Sequence, residues 1–130
     1  MTKIHKGSCE CGSVTYELHG ELRQVHACHC TQCRKISGHF WAATSVAEEK
    51  LIITHDIGLK WYKSSDFAKR GFCKQCGSSL FYKLDEKEYV AVAPGSLDGP
   101  TGLTTVKHIF VKDKGDYYDL DDNCEQLETW

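Results

Sequence analysis

The sequence has little charge of either sign in excess, no long hydrophobic run, and only two prolines. No apolar stretch approaches the roughly 20 residues of a membrane-spanning helix, so a spanning segment is excluded. Sixteen Lys and Arg stand against eighteen Asp and Glu, for a formal net charge of −2. A generic nucleic-acid binder carries a strongly basic face, so no nucleic-acid partner is expected. The opening stretch Met1-Thr2-Lys3-Ile4-His5-Lys6 lacks the apolar region of a signal peptide, and the expected location is the cytoplasm. There is no internal repeat, low-complexity segment or linker. A chain of 130 residues then fits one domain, residues 1–130. Folding at that size buries roughly two thirds of the unfolded surface, enough for an apolar core.

What the sequence does have is cysteine, eight in all. Seven fall into three tight groups: Cys9-Glu10-Cys11, Cys28-His29-Cys30-Thr31-Gln32-Cys33, and Cys73-Lys74-Gln75-Cys76. In a reducing cytoplasm such clusters favour metal over disulfides. Zinc takes thiolates at about 2.3 Å in tetrahedral geometry, and one or two intervening residues let a turn aim two sulfurs at one ion. Two distant pairs and a local triple suggest two zinc ions per chain. One would sit on Cys9, Cys11, Cys73 and Cys76, the other on Cys28, Cys30 and Cys33. An alternative pairs Cys9 and Cys11 with two members of the triple, which leaves Cys73 and Cys76 short of ligands. The plainer reading is a set of buried reduced thiols or a redox C-x-x-C. Metal ligands must be deprotonated, so two ions on seven thiolates would bring the formal charge to about −5.

The apolar pattern is mainly strand-like. Val14, Tyr16 and Leu18 alternate with Thr15, Glu17 and His19, as in a half-buried strand. Further strands are expected within 40–46, 51–54, 59–62, 79–84, 89–93, 106–111 and 117–120. Gly and Asp turns between them suggest an all-β sandwich or barrel. A short helix is expected at 31–37, ended by Gly38, with a second helical turn at 47–50. The triple therefore opens a helix, whose N-terminus favours negative charge. The two pairs take knuckle positions beside Gly12 and Gly77.

Three protein ligands leave one coordination position open, the usual mark of a catalytic zinc. The competing reading is a closed site, with a fourth ligand from His26, His29, His39, an acidic side chain or Cys124. Three thiolates make the ion a weaker Lewis acid than three imidazoles do. It is less suited to making hydroxide than to holding an incoming thiol as a nucleophilic thiolate. Arg34 and Lys35 follow the triple directly, and Lys69 and Arg70 precede the last pair. Any of them could hold carboxylates of an anionic thiol, or merely compensate the thiolates. Ser37 could donate a hydrogen bond. Trp61, Tyr62, Phe72, Phe81 and Tyr82 read as core before ligand wall.

The stretches 7–14, 28–38 and 70–81 resemble the glutathione-dependent formaldehyde-activating enzyme family, which also includes centromere protein V-like proteins. Softer matches lie at 61–65, 95–98 and 108–111, so the resemblance runs from about Gly7 to Leu120. It implies a mainly β, tent-like fold of packed antiparallel sheets with zinc knuckles. It implies a structural zinc on Cys9, Cys11, Cys73 and Cys76, and a catalytic zinc on Cys28, Cys30 and Cys33. The activity it implies is that of a carbon–sulfur lyase joining glutathione to formaldehyde as S-(hydroxymethyl)glutathione. A zinc-stabilised binding module, with both metals structural, is the alternative function. The stretch Cys124-Glu125-Gln126-Leu127 departs from the Leu-Pro-Gln-Phe-like ending common in the family.

Overall fold

The computed structural model describes residues 3–130. Met1 and Thr2, at the start of the stretch read for a leader, lie outside them. The chain divides into two compact units. The first takes the chain up to Arg23 together with Thr44–Gly102, and the second takes Gln24–Ala43 and Leu103–Trp130.

The first unit holds two antiparallel arrays. One is three-stranded, β1(Ile4–Ser8), β2(Thr15–His19) and β5(Leu51–His55), with β2 in the middle. The other runs β9(Tyr89–Val92), β8(Ser79–Leu84), β7(Ala68–Cys73), β6(Leu59–Ser65), with the second half of β4(Trp41–Ala47) beside β9. Neither array closes into a barrel. Their inner faces share one core: Val14, Tyr16 and Leu18 pack with Leu80, Phe81, Val90 and Val92. The alternation read in β2 is thus its physical layout, with Tyr16 and Leu18 inward and Thr15, Glu17 and His19 half-buried. Each such aliphatic or aromatic side chain contributes about 1.5–3 kcal/mol on burial. A bulge between Gly71 and Phe72 resets the register against β8, so Leu80 and Phe81 are buried in succession. Trp61 stacks on Phe81. Tyr62 is exposed, contrary to its expected place in the core.

Tyr16 ties this core together. Its ring meets Phe81 edge-on at 5.2 Å, and its hydroxyl bonds the Ser96 hydroxyl. Burial pushes its pKa up to about 12. A raised folded-state pKa gives stability that is complete below the unfolded value near 10 and lost as pH rises toward 12. The loss should be on the order of 2–3 kcal/mol. Melting temperature followed between pH 9 and 12 should fall in the native chain. Tyr16→Phe, less stable at pH 8 for want of the Ser96 bond, should fall less steeply. Parallel curves would show that Tyr16 is not the alkaline-sensitive group.

The second unit is built from β3(Val25–Cys28), α1(Thr31–Ser37), the first half of β4, β10(Thr105–Ile109) and β11(Glu125–Gln126). β3 pairs antiparallel with β4, but β10 pairs parallel with both β3 and β11. These two parallel ladders qualify the wholly antiparallel expectation. The β3–β10 ladder arises because β10 is reached only after residues 44–102, and the β10–β11 ladder because residues 110–124 form a long connection; each is long enough to return the chain in the same direction. The expected helix is present with its boundaries as read, and Gly38 closes it at φ 85, a conformation glycine adopts without strain. The stretch 117–120 is not a strand. The Lys114 ammonium bonds the carbonyls of Gly115 and Tyr118 and folds this segment into a turn. The C-terminal stretch runs along β10 instead, with Leu127 N–H donating to the His108 carbonyl at 2.9 Å.

Candidate metal centres

The first unit brings Cys9, Cys11, Cys73 and Cys76 together, their sulfurs all within 4.8 Å of one another. Cys9 and Cys11 lie in the β1–β2 turn, while Cys73 ends β7 and Cys76 lies in the turn before β8. Cys11 Sγ stands 3.7 Å from both Cys9 Sγ and Cys73 Sγ. Each pair has an inner cysteine whose sulfur accepts a backbone bond: Val14 N–H to Cys9 at 3.3 Å, Cys76 N–H to Cys73 at 3.4 Å. Such bonds stabilise thiolates.

The two outer cysteines are followed by the same tripeptide logic, Cys11-Gly12-Ser13 and Cys76-Gly77-Ser78. Both glycines take positive φ, at 84 and 83. Each serine hydroxyl contacts its own cysteine sulfur, at 3.0 and 3.2 Å. Each also reaches the opposite knuckle, Ser13 to Gln75 Oε1 at 2.6 Å and Ser78 from Glu10 N–H at 3.0 Å. Ser78 draws the Cys76 thiol down to about 5, and Ser13 lowers Cys11. Burial raises Cys9. Sequence reading passed over these serines, although the repeated Cys-Gly-Ser was the signal. Gly58, between β5 and β6, is a further position of this kind. A Cβ at Gly58 would stand 2.8 Å from Cys73 Sγ and 2.7 Å from Ser13 Cβ, so only glycine fits there.

The second unit brings Cys28, Cys30 and Cys33 together, again within 4.8 Å. Cys28 ends β3, Cys30 caps α1, and Cys33 lies in its first turn. The Cys30 sulfur accepts the Cys33 N–H at 3.3 Å, the role a serine or aspartate plays at an ordinary N-cap. Hydrogen bonds from the Cys28 and Cys33 thiols lower the Cys30 pKa, and the same sharing raises Cys28. One thiol is thus poised to ionise first, with its neighbours donating to it.

None of the named fourth-ligand candidates joins this group. His29 turns away to Tyr118 and His108. His39 packs against Phe40, Tyr117 and Tyr118. The His26 ring lies 5.6 Å from that of Trp130. Cys124 belongs to a separate cluster with His108 and Asp122, and its thiol donates to the Thr105 carbonyl at 3.1 Å. Among the described residues, the group therefore offers three donors and no fourth of the His, Cys, Asp or Glu type. The donor sets suit zinc: soft, clustered, unbridged by disulfides and partly bonded by backbone N–H.

Arg34 and Lys35 sit in the last turn of α1. Lys35 is exposed, and the buried Arg34 Nε has no hydrogen-bond partner among the described residues. Lys69 and Arg70 are engaged elsewhere, the ammonium 4.4 Å above Trp61 and the guanidinium 4.7 Å above Tyr82. Ser37 closes the helix end by donating to the Cys33 and Phe40 carbonyls at 2.8 and 3.0 Å. Among the described residues no helix is long and apolar enough to cross a membrane.

Comparison with known proteins gives a consistent result. The family model described as glutathione-dependent formaldehyde-activating enzyme matches residues 4–113. An uncharacterized lyase of Schizosaccharomyces pombe is 28% identical over 118 residues, covering 89% of this chain and 85% of that protein. Two Aspergillus proteins, from A. flavus and A. oryzae, are named as candidate glutathione-dependent formaldehyde-activating enzymes. Each is 28% identical over 79 residues, 59% of this chain and 41% of theirs. The crystal structure of a Rhodobacter sphaeroides protein superposes with a TM-score of 0.63 at 26% identity, covering 74% of this chain and 90% of that one.

Proposed function

The chain belongs to the glutathione-dependent formaldehyde-activating enzyme family, and from that membership we propose that it is a cytoplasmic two-zinc carbon–sulfur lyase. Its substrates would be glutathione or a related thiol and formaldehyde or another small carbonyl, with residues 1–130 acting as one domain. The observation that carries this reading is the three-cysteine group with no fourth protein donor. When bound, an ion held by three thiolates supplies one further position that favours the ionised form of an incoming thiol.

The chemistry asked of the chain is modest. The thiol gives up its proton, a sulfur–carbon bond forms, and the carbonyl π bond opens. The displaced proton ends on the former carbonyl oxygen, giving a hydroxymethyl thioether. Cys28, Cys30 and Cys33 hold the ion in this reading. Arg34 and Lys35, which follow Cys33 directly in α1, supply cations for the glutathione carboxylates. The four-cysteine group serves the fold.

Plasma mass spectrometry of protein purified without chelator should find close to two zinc ions per chain. In cobalt-substituted protein, millimolar glutathione should change the visible absorption. The Arg34→Ala, Lys35→Ala double variant should need roughly tenfold more glutathione for the same change, the loss of about one charge-assisted contact. A spectrum that ignores glutathione would overturn the reading and favour a binding module with two structural metals.

A further inference from the structure

Four side chains of the second unit form one continuous hydrogen-bonded line: Tyr118, His29, His108 and Asp122. The Tyr118 hydroxyl meets His29 Nδ1. His29 Nε2 lies 2.9 Å from His108 Nδ1, and His108 Nε2 lies 2.9 Å from Asp122 Oδ2. The His29 ring is fully buried and that of His108 nearly so. One proton arrangement satisfies every atom. Tyr118 O–H donates to His29 Nδ1, His29 Nε2–H to His108 Nδ1, and His108 Nε2–H to the Asp122 carboxylate.

His29 sits between two of the three clustered cysteines. Extended backbone sends alternate side chains to opposite sides. Cys28 and Cys30 therefore share one side, where their sulfurs converge with Cys33, and His29 takes the other. Pinning the ring fixes the direction of both thiols. The backbone is pinned at the same point. His29 N–H donates to the Ile109 carbonyl at 2.9 Å, extending the ladder that pairs Cys28 with Ile109. Phe110 follows at once in the left-handed region, φ 55, a conformation that costs free energy and so is imposed by its surroundings.

We propose that Asp122, His108, His29 and Tyr118 form a strut that positions the three-cysteine loop, which makes the 117–124 segment a working part of that metal centre. All four are positioning residues. The inference rests on the proposed metal-holding role of the triple, but not on glutathione or formaldehyde chemistry.

The test follows zinc transfer from the two-zinc protein to a chromophoric chelator, with the triple's phase identified as the one abolished by Cys30→Ser. Asp122→Ala and Tyr118→Phe should each speed that phase, on the order of tenfold, as loss of supporting hydrogen bonds does at metal centres. The other phase and the melting temperature should stay near native. Asp122→Asn, which keeps an acceptor oxygen, should recover most of the effect. Cobalt-loaded Asp122→Ala should show shifted ligand-field bands, and Asp122→Asn native ones. Native release from the triple in both Asp122→Ala and Tyr118→Phe would overturn the strut. So would equal acceleration of both phases with a lower melting temperature, which marks a merely structural tail. A protein with no Cys30-dependent phase also overturns it. Should Asp122→Ala not fold, Tyr118→Phe decides alone. A chain that passes this test yet ignores glutathione loses the lyase reading and keeps the strut.

Discussion

Cys76→Ser protein is expected to be insoluble or to melt at least 15 °C below the native chain. The reason lies in what the four-cysteine group joins. Cys11 and Cys73 are 62 residues apart in sequence, yet their sulfurs are 3.7 Å apart. Structural zinc contributes an apparent ~10–16 kcal/mol of folding free energy in small zinc peptides. Net stability of a domain is only roughly 5–15 kcal/mol, so the metal term is comparable to the whole of it, and losing half is enough to unfold a domain near the low end. Cys9 and Cys73 also belong to the apolar core, at 2% and 0% exposure. Without the ion, the packing around Tyr16 and Phe81 loses one wall. Thermal melting by circular dichroism checks this. A variant within 5 °C of native would show that the knuckles hold without metal.

Cys30→Ser should behave in the opposite way. Serine is a preferred N-cap, so its hydroxyl can accept the Cys33 N–H and α1 keeps its start. What is lost is the soft, ionised donor. The triple spans only six residues of sequence, and its ion constrains little chain. We expect one zinc per chain, a melting temperature within a few degrees of native, and adduct formation from glutathione and formaldehyde at least 100-fold slower. If Cys30→Ser unfolds as readily as Cys76→Ser, the triple is structural. If it turns over at the native rate, the assigned centre is wrong.

Both cysteine groups were legible in the sequence because short-range ligand spacing survives folding unchanged. A C-x-C or C-x-x-C needs only a turn to bring its sulfurs together. β2 was legible for the same reason: its two-residue period is the sheet's own. The strands that escaped notice lack that signal. β1, Ile4–Ser8, places a single buried residue, Gly7, in a polar run. β7, Ala68–Cys73, buries Arg70 and Gly71, neither of which marks a strand by type. Tyr117-Tyr118 looked like strand because aromatics favour sheets. Tertiary bonds to His29 and Lys114 decided otherwise. The parallel placement of β10 on β3 could not be read at all, since no local pattern encodes the direction of a partner 80 residues away. His29, His108 and Asp122 were invisible as a group for that reason.

The split construction of the second unit has a consequence for synthesis of the chain. Its three-cysteine group ends at Cys33, but the strand that braces it begins at Thr105. At about 5–20 residues per second, the intervening stretch takes on the order of 4–14 s to translate. For that interval three thiols emerge from the ribosome without β10 or the Asp122 carboxylate beside them. Oxidants and stray metal ions then compete for these sulfurs before the folded unit can select among them. If this centre takes zinc as proposed, supply of the ion to the nascent chain bears on its loading as well as the affinity of the finished protein.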